Sequence, residues 1–236
     1  MTKKEEYNIK KHIEKQRERI TELLRKRAKH LSDAAWIKSA FIKETLVLHQ
    51  CADQAIRHET SSESILNINE TWNMITSRTN ITNFTIHDVM DIHRCLAQDT
   101  DVAPCQIRTK SVYNLHTVFE APASQEVVRQ KIDDILYRLN SGNGSILQRA
   151  FDAHYELIVL QPFTDFNKRT ARMLMSWFLL KRGYLPIAFD HASDNKDYMN
   201  ALRTRLNGDK KSYYAYMYEC MSRTQNQFIR KLVSSR

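Results

Sequence analysis

The sequence predicts a nearly all-α protein with one small β-hairpin, and three observations support this. Apolar residues recur at helical spacing through most of the 236 residues, which is the pattern of amphipathic helices. Only four glycines and four prolines interrupt the chain, so long helices are favoured. One short stretch near 107–119 carries strand-forming residues around a turn residue instead, and we predict a hairpin there.

Each predicted element has its own basis in the sequence. Val112, Val118 and Phe119 are strand formers, and Asn114 is a residue that turns accept. Residues 141–145 contain two glycines and predict a turn between helices. The last helix is expected to pack through the tyrosines at 213, 214, 216 and 218. The helical pattern is found near residues 5–30, 34–57, 65–77, 85–97, 125–140, 146–160, 168–182, 194–206 and 211–231.

The length and composition fit one domain with additional helices. Hydrophobic residues make up 42% of the chain, which is enough to form a core. We expect an N-terminal basic helical region over 1–64, a core over 65–190, and C-terminal helices over 191–236 that pack on the core.

We expect no transmembrane segment, because no apolar run approaches the length of a membrane span and no secretory apolar segment opens the sequence. The cysteines are scattered without a C-x-x-C pair, which indicates reduced, buried thiols. This pattern favours a cytoplasmic protein, or one delivered into a host cytoplasm. The cysteines are Cys51, Cys95, Cys105 and Cys220.

The first 30 residues are strongly basic, with eleven Lys and Arg against five Glu in a chain of net charge +9. Ile9, Ile13, Ile20 and Leu24 recur among these charges at helical intervals. This predicts a solvated helix that packs one apolar stripe on the core. Binding of a nucleic acid or an acidic membrane surface is the alternative, because charge alone does not distinguish partners. No nucleic-acid-binding motif supports that alternative.

The segment 161–172 has the features of a phosphate-binding loop. Pro162 lacks a backbone N–H and pushes Gln161 out of the α region, so the preceding helix must end there. Asp165 is placed as an N-cap, and the next helix is expected to start at about Asn167. A helix start offers unpaired N–H donors and the positive end of the helix dipole.

Charged side chains of the same segment add to this site. Lys168, Arg169 and Arg172 follow closely, and the two arginines lie on one side of a helix, where they can clamp neighbouring phosphates. Asp165 is a hard oxygen ligand, suited to a Mg²⁺ ion that bridges phosphates. The chemistry alone predicts a polyphosphate site. An ordinary helix-loop-helix, with Asp165 as a cap and solvated cations, is the alternative.

The segment Gln-Pro-Phe-Thr-Asp-Phe-Asn-Lys-Arg-Thr-Ala-Arg closely resembles the Fic-family signature H-P-F-x-[D/E]-G-N-[G/K]-R-x-x-R. The resemblance to the Fic/Doc family extends over roughly residues 65–190. Residues 85–93 are similar to an early helix that ends near a histidine, 107–119 to the β-hairpin flap, and 153–160 to the helix before the signature. The resemblance implies the Fic-like (Fido) helical fold and transfer of AMP from ATP to a target hydroxyl. It also implies a protein target held on the flap by strand addition.

The resemblance assigns a role to each matched position. Asp165 would hold Mg²⁺, Asn167 the transferred α-phosphate and Arg169 the outer phosphates. Arg172 would hold the terminal phosphate or a regulatory glutamate. Lys168 stands where most members have a second glycine and where the phosphorylating Doc branch has lysine. The flap residues expected to meet a target are Val112, Tyr113 and His116.

Two positions depart from the signature. Gln161 stands at the position of the catalytic histidine, and a neutral amide has no useful basicity near pH 7. Phe166 stands at the first glycine, where a ring can fill the space that phosphates need. No other histidine is expected to replace the base: His154 is predicted to lie in the core, His116 reaches the site only if the flap closes, and His191 is a loop or cap residue.

The segment 39–45 lies where many Fic proteins carry an inhibitory helix with the motif [S/T]-x-x-x-E-[G/N]. Glu44 would be the regulatory partner of Arg172. Ala40 and Thr45 occupy the other two motif positions and do not match them. A surface glutamate on a helix is the alternative.

The leading hypothesis is a Fic-family protein with a degenerate active site that binds a nucleotide or a protein partner, with little or no AMP transfer. Mg²⁺ and ATP are the implied cofactors. The first alternative is an active nucleotidyl- or phosphotransferase that modifies a target protein. The second is a non-catalytic interaction module, whose flap and basic N-terminal helix bind a partner.

Overall fold

The computed structural model describes residues 1–27, 62–78, 81–189 and 192–234, and these ranges are mostly helical, as predicted. The predicted helix at 34–57 and Glu44 lie outside the described residues. Within those ranges there are eight helices and two strands: α1 (Lys3–Arg27), α2 (Ser62–Ser77), α3 (Ile86–Ala97), β1 (Val112–Asn114), β2 (Thr117–Phe119), α4 (Gln125–Asn140), α5 (Ile146–Leu160), α6 (Asn167–Lys181), α7 (Ala192–Leu206) and α8 (Lys210–Ser234).

The chain divides into two compact units. The terminal unit combines Met1–Asp53 with Gly183–Arg236, and the central unit is Gln54–Arg182. The phosphate-loop segment and the hairpin both belong to the central unit. The three-part division drawn from the sequence stays a prediction.

In the terminal unit, α1 packs lengthwise on α8, and α8 also packs on α7. Ile13 and Ile20 of α1 are buried, as predicted, whereas Ile9 and Leu24 are only half-buried. Leu23 is buried in addition and was not predicted. Gln16 lies on the same face and donates from Nε2 to the carbonyl oxygen of Ser222 at 3.2 Å. Three of the four tyrosines of α8 are buried, as expected of a packing face: Tyr213, Tyr214 and Tyr218.

The basic residues of α1 are partly neutralised within the helix. Pairs spaced three or four residues apart place carboxylates 2.5–2.9 Å from four of the cations. Such pairs reduce the positive potential that a polyanion would meet. No helix among the described residues is long and apolar enough to cross a membrane. The ion pairs are Lys10–Glu6, Arg17–Glu14, Arg19–Glu22 and Lys26–Glu22.

In the central unit, α6 is the most buried helix and packs against α3 and α5. The Phe84 ring, just before α3, meets the Trp177 ring of α6 edge to face, with centroids 5.1 Å apart. Helix α4 covers α5 from the other side. Ser124 and Ser145 cap the starts of α4 and α5, because each hydroxyl accepts an N–H from the first turn.

The predicted hairpin is present, with strands of three residues each. Tyr113 pairs with Val118 across the hairpin, and both side chains are exposed, by 70% and 54%. The turn consists of Leu115 and His116, both with positive φ, which is the backbone of a tight two-residue hairpin turn. Asn114, predicted as a turn residue, is instead the last residue of β1. Its side-chain oxygen accepts the Leu115 N–H at 2.9 Å.

Candidate functional site

The helix before the signature loop ends at Gln161. This residue has φ 46° and ψ 60°, a left-handed conformation, and its N–H still donates to the Leu157 carbonyl at 3.3 Å. The following proline removes the next donor and disfavours helical geometry at Gln161. The predicted helix break is therefore confirmed at the residue that corresponds to the family's catalytic histidine.

The Gln161 side chain is buried, with 3% exposure. Its Nε2 donates to the Ile158 carbonyl at 2.5 Å, and its Oε1 accepts from Asn167 Nδ2 at 3.1 Å. The side chain therefore satisfies an orphan carbonyl at the end of its own helix and links that end to the start of α6. Neither end of the amide is directed at solvent.

Asn167 closes the loop by a second set of bonds. Its Oδ1 accepts the Phe163 N–H at 2.9 Å, and its Nδ2 donates to the Phe163 carbonyl at 2.8 Å. Asn167 is 4% exposed. Because all of its side-chain groups are used inside the loop, Asn167 fixes the loop conformation in this structure rather than presenting its amide to a ligand.

Helix α6 begins at Asn167, as predicted, but its N-cap is Phe166 and not Asp165. Phe166 lies in the left-handed region, with φ 58°, and makes no side-chain cap hydrogen bond. Asp165 Oδ1 accepts the Phe166 N–H at 2.6 Å instead. The predicted cap was wrong by one residue, because the Asp165 carboxylate stabilises the sharp turn ahead of the helix. A positive φ explains why the signature has glycine here.

The Phe166 ring turns inward and is 8% exposed. It meets the His93 ring edge-on, with centroids 6.3 Å apart. The Arg169 guanidinium lies over the same ring, 4.6 Å from its centroid. The cation expected to hold outer phosphates therefore makes a cation–π contact with the residue that replaces the glycine.

His93 supports the loop from α3. Its ring is fully buried and stacks on Phe163, with centroids 3.7 Å apart and planes 20° apart. Its Nδ1 accepts the Cys105 N–H at 3.0 Å, so the remaining proton of a neutral ring lies on Nε2. Burial lowers the pKa of His93 to about 4, although the nearby Asp165 backbone and carboxylate oppose this. His93 is therefore a neutral structural histidine near pH 7.

Arg108 joins the flap to the signature loop. Its Nε donates to the Gln161 carbonyl at 2.5 Å, and its Nη1 donates to carbonyls at both ends of the hairpin, Lys110 at 2.7 Å and Glu120 at 2.8 Å. The backbone of the same segment pairs with the loop through Arg108 N–H to the Pro162 carbonyl, 3.0 Å, and through a bridge between Ile107 and Phe163. Burial lowers the pKa of Arg108. The base of the flap and the loop thus share one hydrogen-bond network.

The charged residues differ in exposure. Asp165 is exposed, Lys168 and Arg169 are half-buried, and Arg172 is 6% exposed. No group of three or more His, Cys, Asp or Glu side chains within the described ranges is arranged to hold a metal ion. Mg²⁺ commonly binds through one carboxylate together with substrate phosphates and water. The exposed Asp165 carboxylate fits that mode, because Oδ1 alone is used by the Phe166 N–H.

The structure brings together the predicted residues of the loop and of the first turn of α6. The flap residues Val112, Tyr113 and His116 share no hydrogen bond with the loop among the described residues, and their contact with it runs through the base of the flap. His154 is fully buried, as expected of a core histidine. His191, like Glu44, lies outside the described residues.

The sequence patterns assign no supporting role to Arg108 or His93. No local sequence pattern reveals the role of Arg108, because two of the carbonyls that accept its hydrogen bonds belong to residues distant in the chain, Gln161 and Glu120. Only the Lys110 carbonyl is a near neighbour. For His93, an apolar helical face around it was the available signal of burial.

Comparisons with known proteins identify sequences and folds that are similar to this chain. Residues 83–179 match the family model described as the Fic/DOC family. The chain is 28% identical over 146 residues to "Protein adenylyltransferase Fic" of Drosophila willistoni and 29% identical over 154 residues to "Protein adenylyltransferase fic-1" of Caenorhabditis elegans. These alignments cover 61% and 64% of this chain but only 29% and 30% of the relatives.

Solved structures show the same fold. C. elegans Fic-1 (residues 134–508) superposes with a TM-score of 0.73 at 19% identity, covering 98% of this chain and 74% of that chain. A Fic-domain signalling protein of Bacteroides thetaiotaomicron gives 0.72 at 19% identity, covering 94% and 96%. With a loop and a flap in the order that the family has them, residues 83–179 form a domain of the Fic/DOC type.

Proposed function

We propose that this protein binds a phosphate-containing nucleotide at the start of α6 and transfers little or no AMP to protein hydroxyls. The observation that carries the proposal is the burial and hydrogen bonding of the Gln161 side chain. Its amide is buried and both of its polar ends are engaged, with Ile158 and Asn167. The residue at the position of the family's general base therefore holds the end of α5 to the start of α6.

The chemical argument follows from the needs of AMP transfer. A hydroxyl attacks a phosphorus atom well only if a positioned group takes its proton, and an amide cannot do so. Loss of a general base typically costs on the order of 10²–10⁴-fold in rate. His93 is no substitute, because it is fully buried and its Nδ1 already accepts from Cys105. His154 is also buried, and His116 lies on the exposed hairpin turn.

The phosphate-binding part of the proposal rests on what the loop retains. The start of α6 has no side-chain cap hydrogen bond from Phe166, and the N–H groups of a first helical turn, with the positive end of the helix dipole, favour an anion. Arg169 stands in that turn, and Asp165 is exposed just before it. Mg²⁺ and ATP, when bound, would supply the charged phosphates that these residues hold. Asp165 would bind the metal, and Arg169 would bind outer phosphates.

Phe166 limits this binding. Its ring occupies the position where the signature has no side chain, and it holds the Arg169 guanidinium against itself. A ligand must therefore compete with a cation–π contact of about 0.5–1 kcal/mol or more. Weak nucleotide binding is the expected result.

A protein target docked by the flap is the second part of the proposal. Tyr113 and Val118 are exposed apolar residues on one face of the hairpin, and a short strand can accept an extended segment by strand addition. One solved neighbour, IbpAFic2, was crystallised covalently tethered to Cdc42, with a TM-score of 0.55 to this chain. The same exposed pair supports the alternative of a non-catalytic interaction module. We propose a cytoplasm, its own or a host's, as the compartment, since cysteines without a C-x-x-C pair suit a reducing environment. Of the described cysteines, Cys220 is buried as predicted, whereas Cys95 and Cys105 are half-buried.

Titration calorimetry with ATP and Mg²⁺, combined with a transfer assay using labelled ATP, tests the proposal. We expect measurable binding, weakened by Asp165→Ala, without incorporation of label into protein. Robust incorporation that is lost in Asp165→Ala would establish an active transferase. If neither the parent nor Phe166→Gly binds ATP at millimolar concentration, the nucleotide-binding proposal is wrong, and the non-catalytic interaction module becomes the favoured function.

A further inference from the structure

The central unit contains a cavity of about 590 Å³ beside the flap, separate from the start of α6. Its walls come from the segment that leaves β2, residues 119–123, and from the facing sides of α4 and α5. Its volume lies in the range of protein sites that take small ligands or side chains, about 300–1,000 Å³. No role described above uses it.

The cavity is lined by aliphatic side chains together with equal numbers of cationic and anionic side chains. Val128 and Ile135 of α4 and Val159 and Leu160 of α5 supply aliphatic surface. Three cationic and three anionic side chains also contribute to the lining, so their formal charges cancel. A polyanion gains nothing from such a site, even though the whole chain carries a net charge of +9. The charged lining residues are Arg108, Lys131, Arg138, Glu120, Asp134 and Glu156.

One lining residue, the buried Arg108, has a guanidinium nitrogen that makes no hydrogen bond with the described residues. Arg108 is 5% exposed, and its Nε and Nη1 donate to four backbone carbonyls. Its Nη2 makes no hydrogen bond with any described residue. A guanidinium nitrogen that has no acceptor within the described part of the protein can donate to a carbonyl or carboxylate oxygen of a ligand.

The cavity adjoins the end of the flap, where the Phe119 side chain lies on the opposite face of the strand from Val118. Val118, 54% exposed, is followed directly by Phe119, which lines the cavity. Val127, 42% exposed, stands at the opposite wall, on α4. An extended segment laid along the hairpin would thus pass from the flap over the cavity. Its side chains at alternate positions would face the same way, about 7 Å apart.

We propose that the cavity recognises an extended segment of the target protein in which two apolar side chains alternate with one intervening residue. The two side chains occupy the aliphatic space between α4 and α5, and a backbone carbonyl of the segment accepts from Arg108 Nη2. This inference rests on the flap part of the proposed function. Strand addition on the flap recognises the target's backbone. The cavity would add a preference for particular side chains of the target segment.

Methyl NMR of the full chain with three blocked pentapeptides tests the inference. The peptides are acetyl-Thr-Leu-Thr-Leu-Thr-amide and the same sequence with both leucines replaced by lysine or by aspartate. We expect the leucine peptide to shift the methyl signals of Val128, Val159 and Leu160. We expect the two charged peptides to bind at least about tenfold more weakly.

Two cavity-filling variants provide the test by mutation. Val159→Trp places a ring in the cavity from α5, and Ala123→Trp does so from an exposed loop position that tolerates substitution more easily. Each should weaken the leucine peptide at least about tenfold. The matched control is Val233→Trp, at a 45% exposed valine of α8 in the terminal unit, which should leave binding within about twofold.

The outcomes separate this inference from the proposed function. Equal binding of the three peptides, or unchanged binding in the folded Ala123→Trp variant, would overturn the inference. ATP titration reports on the start of α6 independently. Peptide binding without ATP binding would thus remove the nucleotide proposal and leave the cavity assignment standing.

Discussion

The guanidinium of Arg169 lies 4.6 Å from the centre of the Phe166 ring, so that the first turn of α6 covers the residue that caps it. The signature has glycine at this position, where the arginine has no ring to contact. One substitution therefore affects two functions at once, the space available to phosphates and the position of the cation that would hold them.

Replacement of Phe166 by glycine should tighten binding of ATP with Mg²⁺ by about two- to fivefold, because a cation–π contact of about 0.5–1 kcal/mol no longer competes. Stability should fall by less than about 2 kcal/mol. Lost burial of the ring costs about 1.5–3 kcal/mol, and relief of the left-handed backbone returns about 1–2 kcal/mol. Calorimetry and urea unfolding measure both. Phe166→Leu is the control, because it removes the cation–π contact but keeps bulk and a positive φ. Equal tightening in that variant would assign the whole gain to the lost contact, and a further gain in Phe166→Gly would assign the remainder to added space.

Restoration of AMP transfer should require both departures to be reversed. Gln161→His returns a base, and Phe166→Gly returns room for phosphates, so the double variant should exceed either single variant in transfer of labelled AMP. The effects should be non-additive, because the two residues serve one site. A double variant that binds ATP well and yet transfers nothing would show that a further element has been lost.

Removal of Arg169 should weaken nucleotide binding by about 1.5–3 kcal/mol, the range of a hydrogen bond to a charged group. Arg169→Ala can be compared with Arg129→Ala, which removes an exposed arginine from α4 and the same formal charge. Calorimetric titration with ATP and Mg²⁺ gives both affinities. If the two variants lose affinity equally, general charge and not a specific contact accounts for binding.

The stability of the central unit should depend on pH through His93. Its folded pKa is about 4, below its ordinary 6.5, so the fold favours the neutral ring. This contribution is fully present above pH 6.5 and is lost as the pH falls through 4, for a total of roughly 3 kcal/mol. Urea unfolding at pH 7, 5.5 and 4.5 should show a steeper loss in the parent than in His93→Gln. Parallel curves would mean that the histidine titrates normally.

Truncation of Arg108 should loosen the flap more than the helices. Arg108→Ala leaves the carbonyls of Gln161, Lys110 and Glu120 without their donor, at about 1–3 kcal/mol for each group that stays buried. Amide hydrogen exchange at 112–119 should accelerate at least tenfold, while the middle of α4 changes little. Uniform acceleration across the central unit would point to global destabilisation instead.

Much of the fold follows from local sequence. The periodicity predicts the bounds of the described helices to within a few residues, because amphipathic helices bury one face and Ser124 and Ser145 mark two starts. The break at Gln161 follows from Pro162 alone. The Asp165 cap was missed by one residue, because a left-handed phenylalanine is a conformation that propensity disfavours.

The side-chain interactions of the site were harder to predict. Register with the signature locates Gln161 and Asn167, but the bond between them depends on how two helix ends meet. The same holds for the stack of His93 on Phe163, which joins residues 70 positions apart in the chain. Long-range packing of this kind leaves no periodic trace in one sequence.

The hydrogen-bonded joint between Gln161 and Asn167 bears on single substitutions in the loop. A histidine at 161 alone would break two hydrogen bonds of the loop while the Phe166 ring still obstructs phosphates, and a glycine at 166 alone would open a site without a base. Each single substitution removes contacts that hold the loop, and proteins are only marginally stable. The joint therefore limits which residues positions 161 and 166 accept one at a time, whatever activity the loop supports.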